Sequence, residues 1–202
     1  MESNFYQDDL DEMSARVRSF PPIAGTDRRG DWMQLVSGRA FCPLDPRPEE
    51  IFVEDIAHAL AMACRYGGHV LRFYSVAEHC VLMASKAEPE FALAALMHDA
   101  SEAYLADVIR PVKASLTNYK TIESNLEQCI AQRFGLAWPM PAEVKRLDEA
   151  IIADEREQAM ALSAIAWSQW QPVPPLGVTL QFWSPKRARA EFLLAFRRYG
   201  GR

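Results

Sequence analysis

The chain has 202 residues, half of them hydrophobic, enough for one substantial domain whose core needs no disulfide staple. A net charge of −5 and a pI near 5.4 argue against a broad nucleic-acid or anionic-membrane surface, since either needs clustered Lys and Arg. Cys42, Cys64, Cys80 and Cys129 form no C-x-x-C pair, no stretch approaches the roughly 18 apolar residues of a membrane span, and the N-terminus lacks a basic, apolar leader pattern. The expectation is a soluble protein of the reducing cytoplasm that forms no stable nucleic-acid or membrane complex.

Residues 1–30 are polar, charged and Pro-interrupted and read as an arm, leaving 31–202 as the domain. Within 32–44, Ser37-Gly38 separates two short apolar segments, which predicts a small hairpin, and Asp45-Pro-Arg-Pro48 is a turn. From Pro48 the pattern is helical: Glu49, Glu50, Glu54 and Asp55 precede Ile56, Ala59, Leu60 and Ala63 at helix spacing, and Gly67-Gly68 stops the run. Ser75-Val-Ala-Glu78 matches a capping box that opens a helix with His79 in its first turn. Residues 90–105 read as a central helix.

Thr117 is expected to cap a further helix that ends at Gly135, with Ile122, Leu126, Cys129 and Ile130 as its apolar stripe. Pro139 and Pro141 break the chain, and a helix from about 142 to 168 carries Val144, Leu147, Ile151 and Ile152 on one side. Ser184-Pro185 supplies an N-cap and an N1 proline for a last helix with Ala188, Phe192, Leu193 and Phe196 inward. Trp167, Trp170 and Trp183 read as packing around the C-terminal helices. The sum is an all-α domain with a minor N-terminal hairpin.

The chemistry concentrates at His98-Asp99, inside the apolar run Phe91-Ala-Leu-Ala-Ala-Leu-Met-His-Asp-Ala-Ser-Glu102. A lone buried His is ordinarily a satisfied core residue. An adjacent ionised Asp, however, costs several kcal/mol to bury without a cation or hydrogen bonds. Adjacent helical residues project about 100° apart, so both reach one ion only where other helices supply further ligands. His79 and Asp148 stand at suitable places. Two imidazoles and two carboxylates suit a divalent transition ion such as Zn, Mn, Fe, Co or Ni.

The order His79, His98-Asp99, Asp148 resembles the H…HD…D signature of HD-domain metal-dependent phosphohydrolases. Tyr74-Ser-Val-Ala-Glu-His79, Met97-His-Asp-Ala-Ser-Glu102-Ala-Tyr-Leu-Ala-Asp107 and Pro111-Val-Lys113 are similar to bacterial 5'-deoxynucleotidases and to phage relatives that include dATP triphosphohydrolases, over roughly residues 32–160. The resemblance implies an HD-domain helical bundle with His79, His98, Asp99 and Asp148 as metal ligands. Asp154 and Glu155 compete with Asp148, which is favoured because Glu155-Arg156 follows it at the spacing of the phage relatives; Glu155 would orient a ligand or cap the groove.

It further implies Glu102 and Asp107 as catalytic carboxylates. Glu102 would position or deprotonate the attacking water, and Asp107 would serve a second ion such as Mg or a proton at the leaving oxygen, with the division of the two roles left open by the sequence. Arg65-Tyr66 aligns, with one gap, with an Arg-aromatic pair: Arg65 as phosphate clamp and Tyr66 as the wall facing the sugar, where the deoxynucleotidases carry a larger aromatic. Lys113, His69 and Arg39 are weaker substrate contacts, and His58 reads as a core or supporting residue. The implied activity is hydrolysis of a nucleotide phosphoester or phosphoanhydride. A deoxynucleoside monophosphatase ranks first, a deoxynucleoside triphosphate triphosphohydrolase second, and a non-catalytic nucleotide-binding module or a cyclic-nucleotide phosphodiesterase below them. A homo-oligomer such as a dimer accords with such enzymes.

Overall fold

The computed structural model describes residues 27–165 and 173–202, and within them it is mostly helical with one short two-stranded hairpin. The expectations for 1–26, for Trp167 and Trp170, and for a helix over 166–168 lie outside the described residues. No helix among the described residues is long and apolar enough to cross a membrane.

Strands β1 (Met33–Gln34) and β2 (Ala40–Phe41) pair antiparallel, with Met33 opposite Phe41. Gly38, at φ +79°, takes the left-handed conformation that its turn requires. Buried Asp55 accepts hydrogen bonds from the Ser37 N–H and hydroxyl, both at 3.0 Å, and so pins the hairpin to helix α1 (Val53–Met62). Arg28 does the same for the end of the arm. Its guanidinium is buried between Asp45 and Glu50, at 2.8 and 2.5 Å.

The single helix expected from Pro48 to Gly67 is instead three pieces. A 3-10 turn covers Pro48–Glu50, fully buried Ile51 passes in extended conformation, and α1 stops at Met62. It stops there because residues 63–65 pair with the chain that precedes the next helix. Val76 N–H donates to Ala63 O at 3.0 Å, and Arg65 N–H to Tyr74 O at 2.9 Å. This pairing fixes Arg65 and Tyr66, in the 3-10 turn Arg65–Gly68, beside helix α2 (Val76–Ala84).

Ser75 caps α2 by accepting from the Glu78 N–H at 3.1 Å. The reciprocal half of the box is absent, because the Glu78 carboxylate turns away to accept from the N–H groups of Gln181, Phe182 and Trp183. The expected 90–105 helix is broken into α3 (Ala92–Met97) and α4 (Glu102–Leu105), and the chain turns at His98–Ser101. After α5 (Arg110–Lys113), helix α6 (Tyr119–Phe134) begins at Asn118 rather than Thr117 and ends on Gly135 at φ +67°, the left-handed C-cap expected.

Helix α7 (Ala142–Ala159) ends well before 168. Its last turn is claimed by neighbours: Leu71 N–H takes the Ala159 carbonyl at 2.8 Å, and Asp154 and Gln158 bond the backbone of 176–180. Helix α8 (Pro185–Arg198) starts at the Ser184 cap as expected. Ile56 and Leu60 of α1, Met83 of α2, Leu96 of α3, Leu126 of α6, Leu147 and Ile151 of α7 and Phe192 of α8 are sealed in one core. Trp183 joins it. Each fully buried apolar side chain of this size contributes about 1.5–3 kcal/mol against exposure, so the core holds the helices that carry the polar cluster in fixed register.

Candidate metal centre

Helices α2 and α7 and the turn after α3 converge on one point. His79 Nε2 and His98 Nε2 stand 3.2 Å apart. Asp148 Oδ1 lies 3.5 Å from His79 Nε2 and 3.9 Å from His98 Nε2, and Asp99 Oδ2 lies 3.6 and 3.1 Å from the same two atoms. Donors about 2.0–2.1 Å from a common ion stand about 3.0 Å apart across an octahedral right angle and about 3.4 Å across a tetrahedral one. His79, His98 and Asp148 form a group that can hold a metal ion, and Asp99 borders it on the same side.

The outer nitrogens of both rings are already engaged. His79 Nδ1 lies 2.6 Å from Glu155 Oε1, and His98 Nδ1 lies 2.8 Å from the Ala95 carbonyl. Each acceptor requires the proton on Nδ1, which leaves an Nε2 lone pair directed at the shared point. The His79 side chain is 0% exposed and that of His98 7%, against 18% for Asp99 and 24% for Asp148. The imidazoles therefore form the floor and the carboxylates the rim. Cys80 makes a second grouping with His98 and Asp99. Burial pushes its thiol up to about 11, however, and its sulfur faces the Nδ1 already bonded to Ala95, 3.9 Å away, so it adds little as a ligand.

The electrostatics invite a cation. Burial opposes ionisation of Asp99 and Glu155, but His98, His79 and Arg65 together outweigh it at Asp99, as Arg65, His79 and the Tyr66 hydrogen bond do at Glu155, and each carboxyl is brought down to about 2. Asp148 is held lower still: burial is overcome by the His79 hydrogen bond and the nearby positive groups. Burial disfavours charge on His98, yet Asp99 raises its pKa well above the ordinary imidazole value.

Arg65 and Tyr66 close the inner wall. Arg65 Nη1 reaches Asp99 at 3.4 Å, Nη2 reaches Glu155 at 3.3 Å, and its side chain is 11% exposed. Tyr66 donates its hydroxyl to Glu155 and holds φ +57°, a left-handed conformation uncommon for a bulky residue. Glu102 opens α4 with its Oε2 buried and unpartnered among the described residues. Burial, reinforced by Asp99 and Asp107, raises its pKa to about 9. Half-buried Asp107 follows Ala106, whose φ +63°, ψ 158° is a conformation otherwise typical of glycine.

Several expected contacts lie elsewhere. Lys113 is paired with Glu123 at 2.6 Å, Arg39 is paired with Asp55 and stacked on Phe52, and His69 is exposed beyond Gly67-Gly68. Their chain positions suggested the pocket, but nearer carboxylates claim the first two. His58 sits beside Arg189 and Asp55, where burial and then Arg189 lower its pKa. Asp154 accepts the N–H groups of Leu176, Gly177 and Val178, a structural role that removes it as a rival to Asp148. Glu155 orients His79 rather than capping the groove. Arg110, which carries no motif or spacing signal, reaches Asp148 Oδ2 at 3.4 Å.

No family model matches the chain. It is 36% identical over 143 residues to "Uncharacterized protein YfdR" of Escherichia coli K12, covering 71% of this chain and 80% of that protein. The chain belongs to the YfdR family. A second relative, "Uncharacterized protein RCAP_rcc00048" of Rhodobacter capsulatus, is 36% identical over 181 residues, 80% of this chain and 91% of the relative. The similarity to the YfdR family thus extends over most of the chain.

Proposed function

We propose that this protein is an HD-type metal-dependent phosphohydrolase of nucleotides, acting first on deoxynucleoside 5'-monophosphates. The observation that carries the reading is the pair of buried imidazoles with Nδ1 anchored to Glu155 and Ala95 and Nε2 facing two carboxylates, with a guanidinium alongside. When bound, a divalent transition ion supplies Lewis-acid polarisation of a phosphoryl oxygen. His79, His98, Asp99 and Asp148 would hold it.

Arg65 lies against Asp99 and presents fixed positive charge where the phosphoryl oxygens gain negative charge, a preorganised arrangement whose removal typically costs about 10²–10³ in rate. The Tyr66 ring, anchored through its hydroxyl, forms an immobile wall for the sugar. Glu102, neutral below about pH 9, holds the proton that the leaving oxygen needs. Asp107 keeps that proton on Glu102 by its negative charge.

Commitment of Lys113 to Glu123 occupies one cation that a triphosphate chain would use, which supports the monophosphate as first substrate. The test is a panel of nucleotides incubated with the purified protein and Mn, Co, Zn, Ni or Fe. Inorganic phosphate released from deoxynucleoside monophosphates, and abolished by a chelator, is the expected product. Intact triphosphate from triphosphate substrates would move the assignment to a triphosphohydrolase, and absence of any turnover would reject it.

A further inference from the structure

We infer that Arg110 is the residue that captures the substrate's phosphate at the mouth of the cluster; the inference rests on the phosphohydrolase reading above. Asp148 Oδ1 faces the imidazoles, so Oδ2 is its outer oxygen, and that is the atom Arg110 meets. Arg65 on the inner wall is committed on both sides, to Asp99 and Glu155. Among the described residues Arg110 instead makes one long contact, at 3.4 Å, while its side chain is 68% exposed, so most of its five N–H donors face away from the protein. A guanidinium in this state exchanges a weak, screened pairing for a two-pronged one with phosphate oxygens at small cost.

The surroundings fit a phosphate that carries an organic group. Ile109 and Val112 flank Arg110 with 45% and 47% of their surface exposed, and Ile109 leans toward Gly67, next to Tyr66. A cation bordered by apolar side chains matches an anionic head joined to a flat, poorly hydrated body. The segment follows Ala106, whose φ of +63° is uncommon for a residue with a side chain, and its Arg110 meets Asp148. Release of Asp148 Oδ2 by Arg110 when the phosphate arrives also couples anion binding to the electrostatics of the cluster.

The experiment compares the full chain with Arg110→Ala and Arg110→Lys, each loaded with Mn. Calorimetric binding of deoxyadenosine 5'-monophosphate is read beside turnover, metal content and melting temperature. Arg110→Ala should weaken nucleotide binding and lower kcat/KM by about tenfold or more, the scale of a hydrogen-bonded charge pair, with metal content and melting temperature unchanged. Arg110→Lys should recover part of the loss, and the salt dependence of binding should flatten in the alanine variant. Binding and kcat/KM within twofold of the unsubstituted protein would overturn the assignment. Nucleotide bound through Arg110 without turnover would reject the hydrolase reading alone, and no nucleotide binding by the unsubstituted protein would overturn both.

Discussion

His79 and Glu155, 76 residues apart, form a sealed pair between α2 and α7: Nδ1 and Oε1 are 2.6 Å apart and neither side chain has exposed surface. Glu155 also receives Tyr66 and Arg65, so one carboxylate sets the tautomer of an imidazole in the candidate metal centre and holds both residues of the proposed substrate wall. Glu155→Gln should weaken metal affinity by about 10–100-fold, the usual effect of losing such a supporting group, measured by calorimetric titration of Mn. Unchanged affinity would reduce Glu155 to a packing residue.

Asp99→Ala should remove both metal retention and activity, since Asp99 Oδ2 lies within 3.6 Å of both Nε2 atoms. Elemental analysis of the purified variant checks this, and a full complement of metal would take Asp99 out of the ligand set.

Glu102→Gln should keep the metal and lower kcat by about 10²–10⁴-fold. The sign of its pH dependence follows from the raised pKa: the proton is present below about 9 and lost above, so kcat/KM falls as pH rises through that value. A bound divalent ion attracts negative charge and draws the limb to lower pH, never higher. A pH profile that rises through the same range would assign the proton-accepting role instead.

Glu78 predicts a stability effect separate from chemistry. Its fully buried carboxylate takes three backbone N–H groups of residues 181–183 and seats the segment leading to α8. Glu78→Ala orphans those donors in the interior and should cost about 3 kcal/mol or more, read as a lowered denaturation midpoint. A midpoint unchanged from the parent would mean that the segment is held by Trp183 packing alone.

The helical class and the His/Asp group that could hold a metal were legible in the sequence because each rests on local chemistry. The Ser75 and Ser184 caps, Gly135 at the end of α6 and the His98-Asp99 doublet are short-range signals. Boundaries that depend on distant partners were not: α1 yields at Met62 to pairing between residues 63–65 and 74–76, and α7 yields at Ala159 to Leu71 and the 176–180 segment. The same holds for side chains. Lys113 and Arg39 are claimed by Glu123 and Asp55, which spacing does not reveal, and the contact between Arg110 and Asp148, 38 residues apart, is equally invisible to it.

Anomalous diffraction from crystals grown with Mn tests whether these four side chains share one ion. One strong peak is expected about 2.0–2.3 Å from His79 Nε2, His98 Nε2 and a carboxylate oxygen each of Asp99 and Asp148. A well-diffracting crystal with no peak among these four side chains, or with its ion bound elsewhere, would contradict it.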